Sequence, residues 1–173
     1  MRVVFTIGHG TRTIKELVEM LHEARVETLV DVRRYPSSRR NPQFNQQALR
    51  TAIEAAGIGY RHEVDLGGRR TGEPGEERFA CIRVGAFRSY AARMASDAWQ
   101  AALGRALADP SPCFMCAETP WWRCHRRLIA ELLVARGETV IHLLGPGRRE
   151  PHRQWEEAEF REGRLYLCGR LVA

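Results

Sequence analysis

No apolar run in the 173-residue chain approaches the roughly 20 residues that a membrane-spanning helix needs. Internal repeats and low-complexity tracts are missing too, which excludes solenoid and fibrous architectures. The first residues, Met1-Arg2-Val3-Val4-Phe5, carry no long apolar stretch before a small-residue cleavage site, so no secretory signal is expected. Lysine is almost absent: Lys15 stands alone against 26 arginines. With 21 acidic residues the formal charge is +6, and since the arginine skew partly reflects codon or lineage bias, arginine content alone is weak evidence for a ligand. There is no P-loop Gly-Lys-Ser/Thr and no dinucleotide fingerprint, since Gly145-Pro146-Gly147 is too short for one. A phosphatase Cys-x5-Arg loop is missing as well, because Trp122 and Ala130 stand six residues after Cys116 and Cys124. Five cysteines, an odd number, argue against a disulfide framework. Reduced thiols and a cytoplasmic location are the expectation.

What is present alternates regularly. Val3–Ile7 reads as a strand that stops at Gly8-His9-Gly10, and Thr13 with Glu16 forms a capping box for a helix carrying Ile14, Leu17, Val18 and Leu21. Thr28–Val32 is a second strand, and Asn45 caps a helix that Gly57 stops. Ile58–Val64 is a weaker third strand. One long helix is predicted over Arg88–Ala108, a strand over Cys113–Ala117, a helix over Arg123–Arg136 and a strand over Thr139–Leu144. The tail carries a helix around Gln154–Phe160 and a strand at Leu165–Cys168. Continuous apolar strands between helices predict an α/β fold in a single domain over 1–173, with a mostly parallel sheet flanked by helices. In such sheets the ligand cleft lies at the carboxyl ends of the strands. His9, Asp31, Arg33, Arg34, His62, Asp65, Glu118 and His142 follow or end the predicted strands and mark that edge.

Two stretches carry chemistry. Asp31 and Arg33 are two apart, so they share one strand face and can pair while meeting a ligand. Arg39 and Arg40 precede the Asn45 helix, whose free N–H groups favour an anion; the alternative is that both are simply solvated. The second stretch runs from Cys113 to Arg126. Cys113 and Cys116 point to opposite faces of one strand, which makes them poor joint metal ligands. A site of Cys116, Cys124 and His125 is the metal alternative; no metal and no cofactor is the expectation. Cys124 near a helix N-terminus, beside Arg123, His125 and Arg126, has the setting of a stabilised thiolate, against the common case of a buried inert Cys. Glu118 is a candidate acid/base or an arginine's partner. His9 is a candidate acid/base or a turn-capping group. Trp121 and Trp122 can stack a base or fill the core, and His22 and His152 are read as surface groups.

These pieces together resemble the DUF488 family (domain of unknown function 488). The resemblance rests on Thr6-Ile-Gly-His9, Leu29-Val-Asp-Val-Arg33, Ser38–Asn45, Gly57-Ile-Gly-Tyr60, Leu66-Gly-Gly-Arg69, Cys116-Ala-Glu118, Cys124-His-Arg126 and Val140-Ile-His142. It implies an α/β fold and a site containing Asp31, Arg33, Glu118, Cys124, His125 and Arg126, and it implies no activity. Gly10 departs from the serine expected after the histidine, and Trp121-Trp122 depart from a smaller, polar stretch. The leading expectation is a hydrolase or group transferase for a phosphate-bearing nucleotide derivative or nucleic-acid end. In it, Asp31, Glu118, Cys124 and His9 do the chemistry, while Arg33, Arg39, Arg40, His125 and Arg126 hold the ligand. The alternatives are a non-catalytic nucleic-acid-binding module and a redox-sensitive thiol protein. A membrane partner is not expected.

Overall fold

The computed structural model describes residues 1–173. A six-stranded sheet runs in the order β3-β2-β4-β1-β5-β6. Its strands are β1 (Val3–Gly8), β2 (Thr28–Asp31), β3 (Gly59–His62), β4 (Pro112–Cys116), β5 (Thr139–Gly145) and β6 (Arg148–Pro151). The first five are mutually parallel, and β6 pairs antiparallel with β5. The fold is therefore α/β with a mixed, mostly parallel sheet. Five helices flank it: α1 (Ile14–Glu23), α2 (Gln46–Ala55), α3 (Gly85–Arg93), α4 (Asp97–Ala108) and α5 (Arg126–Ala135). No helix is long and apolar enough to cross a membrane.

Strand alternation sorts the core into two layers. Phe5, Ile7, Leu29, Cys113 and Met115 pack with Leu17 and Leu21 of α1 and Leu49 and Ile53 of α2. Val4, Val30, Phe114, Cys116 and Val140 pack with α3, α4 and α5 through Phe87, Tyr90, Trp99, Leu128 and Leu132. Cys113 and Cys116 thus lie on opposite faces. Neighbouring β2 and β4 consequently send their following helices, α2 and α5, to opposite sides, which opens a crevice at their carboxyl ends.

Local chemistry sets the element ends. Thr13 Oγ1 accepts from Glu16 N at 3.1 Å, so the predicted cap forms. Asn45 stands at the N-cap of α2, but its side chain turns back and accepts from Ser38 N at 2.6 Å. The long helix predicted over Arg88–Ala108 is two helices. Ser96 caps the second by accepting from Trp99 N, and the Ala-rich composition hid that break. The helix predicted from Arg123 starts at Arg126, because Trp121–Arg123 form a 3-10 turn.

The tail differs most from expectation. The segment read as a helix around Gln154 instead turns into β7 (Ala158–Arg161), which with β8 (Arg164–Leu167) and β9 (Arg170–Leu171) makes a small antiparallel sheet. Leu165 and Leu167 of this sheet join the core layer that contains α5. A disulfide joins Cys81 and Cys168 across 87 residues, correcting the expectation of reduced thiols throughout. Cys113, Cys116 and Cys124 remain free. His152 is not a surface group: its side chain is buried 3.2 Å from Glu131 and 2.9 Å from His142.

Candidate active site

A cavity of about 210 Å³ lies at the carboxyl ends of β2 and β4. Arg33, Arg34 and Tyr35 follow β2 into it; Cys116, Ala117 and Glu118 close β4; Arg123, Cys124 and His125 come from the turn before α5. Gly68 and Arg69 complete the wall on the β3 side. Gly68 is there for space, since a Cβ on it would sit 2.5 Å from His125 Nδ1.

The thiols at this cavity touch. Cys116 Sγ and Cys124 Sγ are 2.9 Å apart, and Arg126 Nε lies 2.9 Å from the first and 3.2 Å from the second. Arg126 is 1% exposed. Its remaining donors reach Thr6 Oγ1 at 3.1 Å and the carbonyls of Glu118 and Thr119. The approach of the Glu118 carbonyl requires Gly8, where a Cβ would fall 1.8 Å from that oxygen.

None of these partners is a carboxylate, and Arg126 forms no ion pair. A buried guanidinium cannot shed its proton, so it calls for a neighbouring negative charge. The thiol pair is the group in reach that can supply one. Burial opposes ionisation of Cys124. The hydrogen bond from Cys116 and the charge of Arg126 outweigh it and hold Cys124 well below the usual thiol range. Cys116 goes the other way: burial and its role as hydrogen-bond partner to Cys124 keep it protonated. The backbone N–H groups of His125 and Arg126 have no carbonyl partner within the chain, as befits the start of α5, and add positive potential beside the sulfur.

His125 donates from Nε2 to the Val32 carbonyl at 2.8 Å, which fixes its tautomer and leaves Nδ1 as an acceptor. Burial lowers its pKa, so the ring is neutral near pH 7. That hydrogen bond also draws it away from a shared metal site with the two cysteines. No group of three His, Cys, Asp or Glu side chains is arranged to hold a metal ion.

Beside the cavity lies a second buried cluster. Asp31 is fully buried and accepts from Arg33 Nε and Nη2 at 2.8 and 2.7 Å, from Arg33 N at 3.2 Å and from Tyr60 Oη at 2.6 Å. Every lone-pair direction of the carboxylate is thereby occupied. His9 stacks on Phe44 and donates from Nδ1 to the Gly10 carbonyl, which leaves Nε2 to accept from Arg33 Nη1 at 3.4 Å. Burial pushes the His9 pKa down to about 4, so it is neutral at pH 7. Asp31 and His9 thus hold Arg33 from two sides.

Among the predicted site residues, the cavity brings together Arg33, Glu118, Cys124 and His125. Arg126 lies behind its thiols. Asp31 and His9 lie behind Arg33. Arg39 and Arg40 are exposed on the loop before α2 and line no cavity. Glu118 meets Arg126 through its backbone carbonyl, while its side chain is exposed at the rim. Cys116 enters the sequence reading as a site residue only in the metal alternative, and Gly68 and Arg69 only within the motif Leu66-Gly-Gly-Arg69; the position of Cys116 at the end of a strand is a usable signal for the site.

Comparison with protein families matches residues 13–133 to the family described as domain of unknown function DUF488. Neither the curated proteins nor the solved structures contain a match to the chain. The matched span takes in β2, β4 and the start of α5, and so every residue of the thiol cavity, but it leaves out His9 and β5. With most of its length and its whole cavity inside that match, the chain belongs to the DUF488 family.

Proposed function

We propose that the chain is a hydrolase or group transferase that uses the Cys124 thiolate on a phosphate-bearing small molecule, a nucleotide derivative being the class favoured. The observation that carries this reading is the buried Arg126 guanidinium, with no carboxylate partner, set between two touching thiols on a cavity wall. Arg34, Arg69 and Arg123 also face the cavity without a carboxylate partner and supply the attraction for an anion. In the first step the Cys124 sulfur attacks phosphorus; an S–P bond forms, the ester P–O bond breaks, and Glu118 gives its proton to the leaving oxygen. In the second step Glu118 takes a proton from water, whose oxygen attacks phosphorus and expels the thiolate back to Arg126. Asp31 and His9 act as positioning residues through Arg33.

The first test is a thermal-shift screen with nucleotides, sugar phosphates and oligonucleotides at low and high salt. A small phosphate ligand at about 100 times its Kd stabilises by about 2.7 kcal/mol, a shift of about 5–10 °C at this chain length. Turnover of the ligand so found should vanish in Glu118→Gln, which should melt like the wild type, and in Cys124→Ser, which leaves Arg126 without its negative partner and should melt lower but still cooperatively. Unchanged turnover in Cys124→Ser overturns the reading. A shift seen only with oligonucleotides and lost at high salt transfers it to a nucleic-acid-binding module.

The 2.9 Å sulfur separation favours one further reading, a redox-sensitive thiol pair. Under this reading peroxide takes two electrons and two protons from Cys116 and Cys124, joining them in a disulfide and leaving water. Loss of two hydrogens by intact mass, absent in Cys116→Ser, is the expected result; a stable sulfenic acid on Cys124 with Cys116 still free refutes it.

A further inference from the structure

Nucleophilic attack on phosphorus needs one thiol, and the cavity holds two. Cys124 alone makes and breaks the S–P bond in the reaction proposed above, while the Cys116 sulfur, 2.9 Å away, forms no bond in it. Both residues line the same cavity. The third free thiol, Cys113, packs in the opposite core layer and does not line it.

Arg126 links the pair. Its Nε lies closer to Cys116, at 2.9 Å, than to Cys124, at 3.2 Å. While Cys124 is the thiolate, Cys116 stays protonated and donates to it. Once the Cys124 charge is consumed in a bond to an electrophile, the buried guanidinium again lacks an anion. Its other partners are the Thr6 hydroxyl and two backbone carbonyls, so Cys116 is the contacting group that can then supply the charge. The thiolate passes from one sulfur to the other, and the second sulfur already touches the first.

The rest of the wall suits a small anion. Arg34, Arg69 and Arg123 line it, and none of them pairs with a carboxylate. Arg69 stands in the left-handed region at φ 56°, and its carbonyl accepts from Arg34 Nη1 at 3.2 Å. A residue other than glycine keeps that conformation where its surroundings fix it. At about 210 Å³ the cavity encloses a free tetrahedral oxyanion whole, and it is smaller than the roughly 300–1,000 Å³ of pockets for drug-sized ligands.

We propose that this site also reduces arsenate, an oxyanion with the charge and shape of phosphate whose central atom, unlike phosphorus, accepts two electrons from thiols. The inference rests on the reading of Cys124 as a nucleophile. The Cys124 sulfur attacks arsenic; an S–As bond forms and an As–O bond breaks, the oxygen taking a proton from Glu118 and leaving as water. Cys116 then attacks the Cys124 sulfur. The S–S bond forms, the S–As bond breaks, and its electron pair stays on arsenic, which departs as arsenite carrying the Cys116 proton. Two thiols are oxidised to a disulfide and arsenic(V) is reduced to arsenic(III). An external dithiol reopens the disulfide for the next turnover.

A single turnover needs no external reductant. The anaerobic full chain, with Cys81–Cys168 closed, is mixed with arsenate and quenched in acid. One arsenite per chain is expected, together with a Cys116–Cys124 cross-link located by peptide mass. Cys116→Ser should lose both products, Cys113→Ala should keep both, and excess inorganic phosphate should suppress both in the wild type. Neither arsenite nor cross-link in the wild type overturns the proposal, as does arsenite formed undiminished in Cys116→Ser or under excess phosphate. If an aryl phosphate labels Cys124 but arsenate is not reduced, this inference falls and the phosphoryl-transfer reading stands. If arsenate is reduced but no phosphoryl adduct forms, the phosphoryl-transfer reading falls and this inference stands.

Discussion

Replacing Arg126 with methionine removes the cation between the two thiols while filling a similar length of buried space. Arg126 Nε is 3.2 Å from Cys124 Sγ, and unit charges at that separation attract by about 5 kcal/mol at an effective dielectric of about 20. The guanidinium spreads its charge over three nitrogens, and the thiolate shares its charge with Cys116. Taking half gives about 2.5 kcal/mol, or about a sixtyfold loss in thiolate stability at about 1.4 kcal/mol per tenfold. A more basic thiolate is a better nucleophile, which restores about sixfold for a Brønsted slope near 0.45. Where the variant's thiol is still mostly protonated, the net fall in Cys124 alkylation is therefore about tenfold. The assay is iodoacetamide labelling between pH 5 and 9, read at the Cys124 peptide by mass spectrometry. Labelling should reach its plateau at lower pH in the wild type than in Arg126→Met, the two curves standing apart by the pH span of that roughly sixtyfold change in ionisation. Arg126→Lys keeps the charge and should stay close to the wild type, which separates charge from packing if methionine loosens the fold. Matching pH profiles in wild type and Arg126→Met would refute the thiolate argument.

Other expectations follow from the same geometry. Asp31→Asn leaves Arg33 buried without its charge partner and should cost about 3–5 kcal/mol in urea denaturation, whereas Tyr60→Phe, which removes one of several bonds to Asp31, should cost about 1 kcal/mol. Opening the Cys81–Cys168 disulfide by Cys168→Ser frees a long loop and should lower stability by about 4 kcal/mol. His9 is held down to about 4 by burial, so between pH 6.5 and pH 4 the unfolded chain binds a proton that the folded chain does not. Stability should therefore fall as pH drops through that window, by about 3 kcal/mol from His9. His9→Gln should make the fall shallower without abolishing it, because burial holds His142 down to about 2 and it contributes with the same sign.

Much of the frame was legible because it depends on local patterns. Apolar runs marked β1, β2, β4 and β5, Thr13 and Glu16 marked the start of α1, and strand alternation separated Cys113 from Cys116. The misses have non-local causes. Ser96 interrupts an Ala-rich stretch that reads as continuous, and only tertiary packing decides between one helix and two. Cys81 and Cys168 pair across 87 residues, and an odd cysteine count pointed away from them. At the site, Cys124 and Arg126 were visible as neighbours near a helix start. The contact that matters, Cys116 on Cys124, needs the end of β4 and the approach to α5 in register. The Arg126 bonds to carbonyl oxygens of Glu118 and Thr119 carry no side-chain signal at all. Glu118 looked like a charge partner for an arginine, yet its backbone fills that role and frees its carboxylate for the rim. His152 looked like a tail residue until the tail folded back over α5.

The most direct test of the central claim is to mix the protein with an aryl phosphate, quench rapidly in denaturant and weigh the Cys124 peptide. Nucleophilic catalysis predicts a phosphoryl adduct on Cys124 that accumulates in Glu118→Gln, given a leaving group that departs without its proton, and is missing in Cys124→Ser. Aryl phosphate hydrolysed at an undiminished rate by Cys124→Ser, with no adduct in any variant, would contradict it.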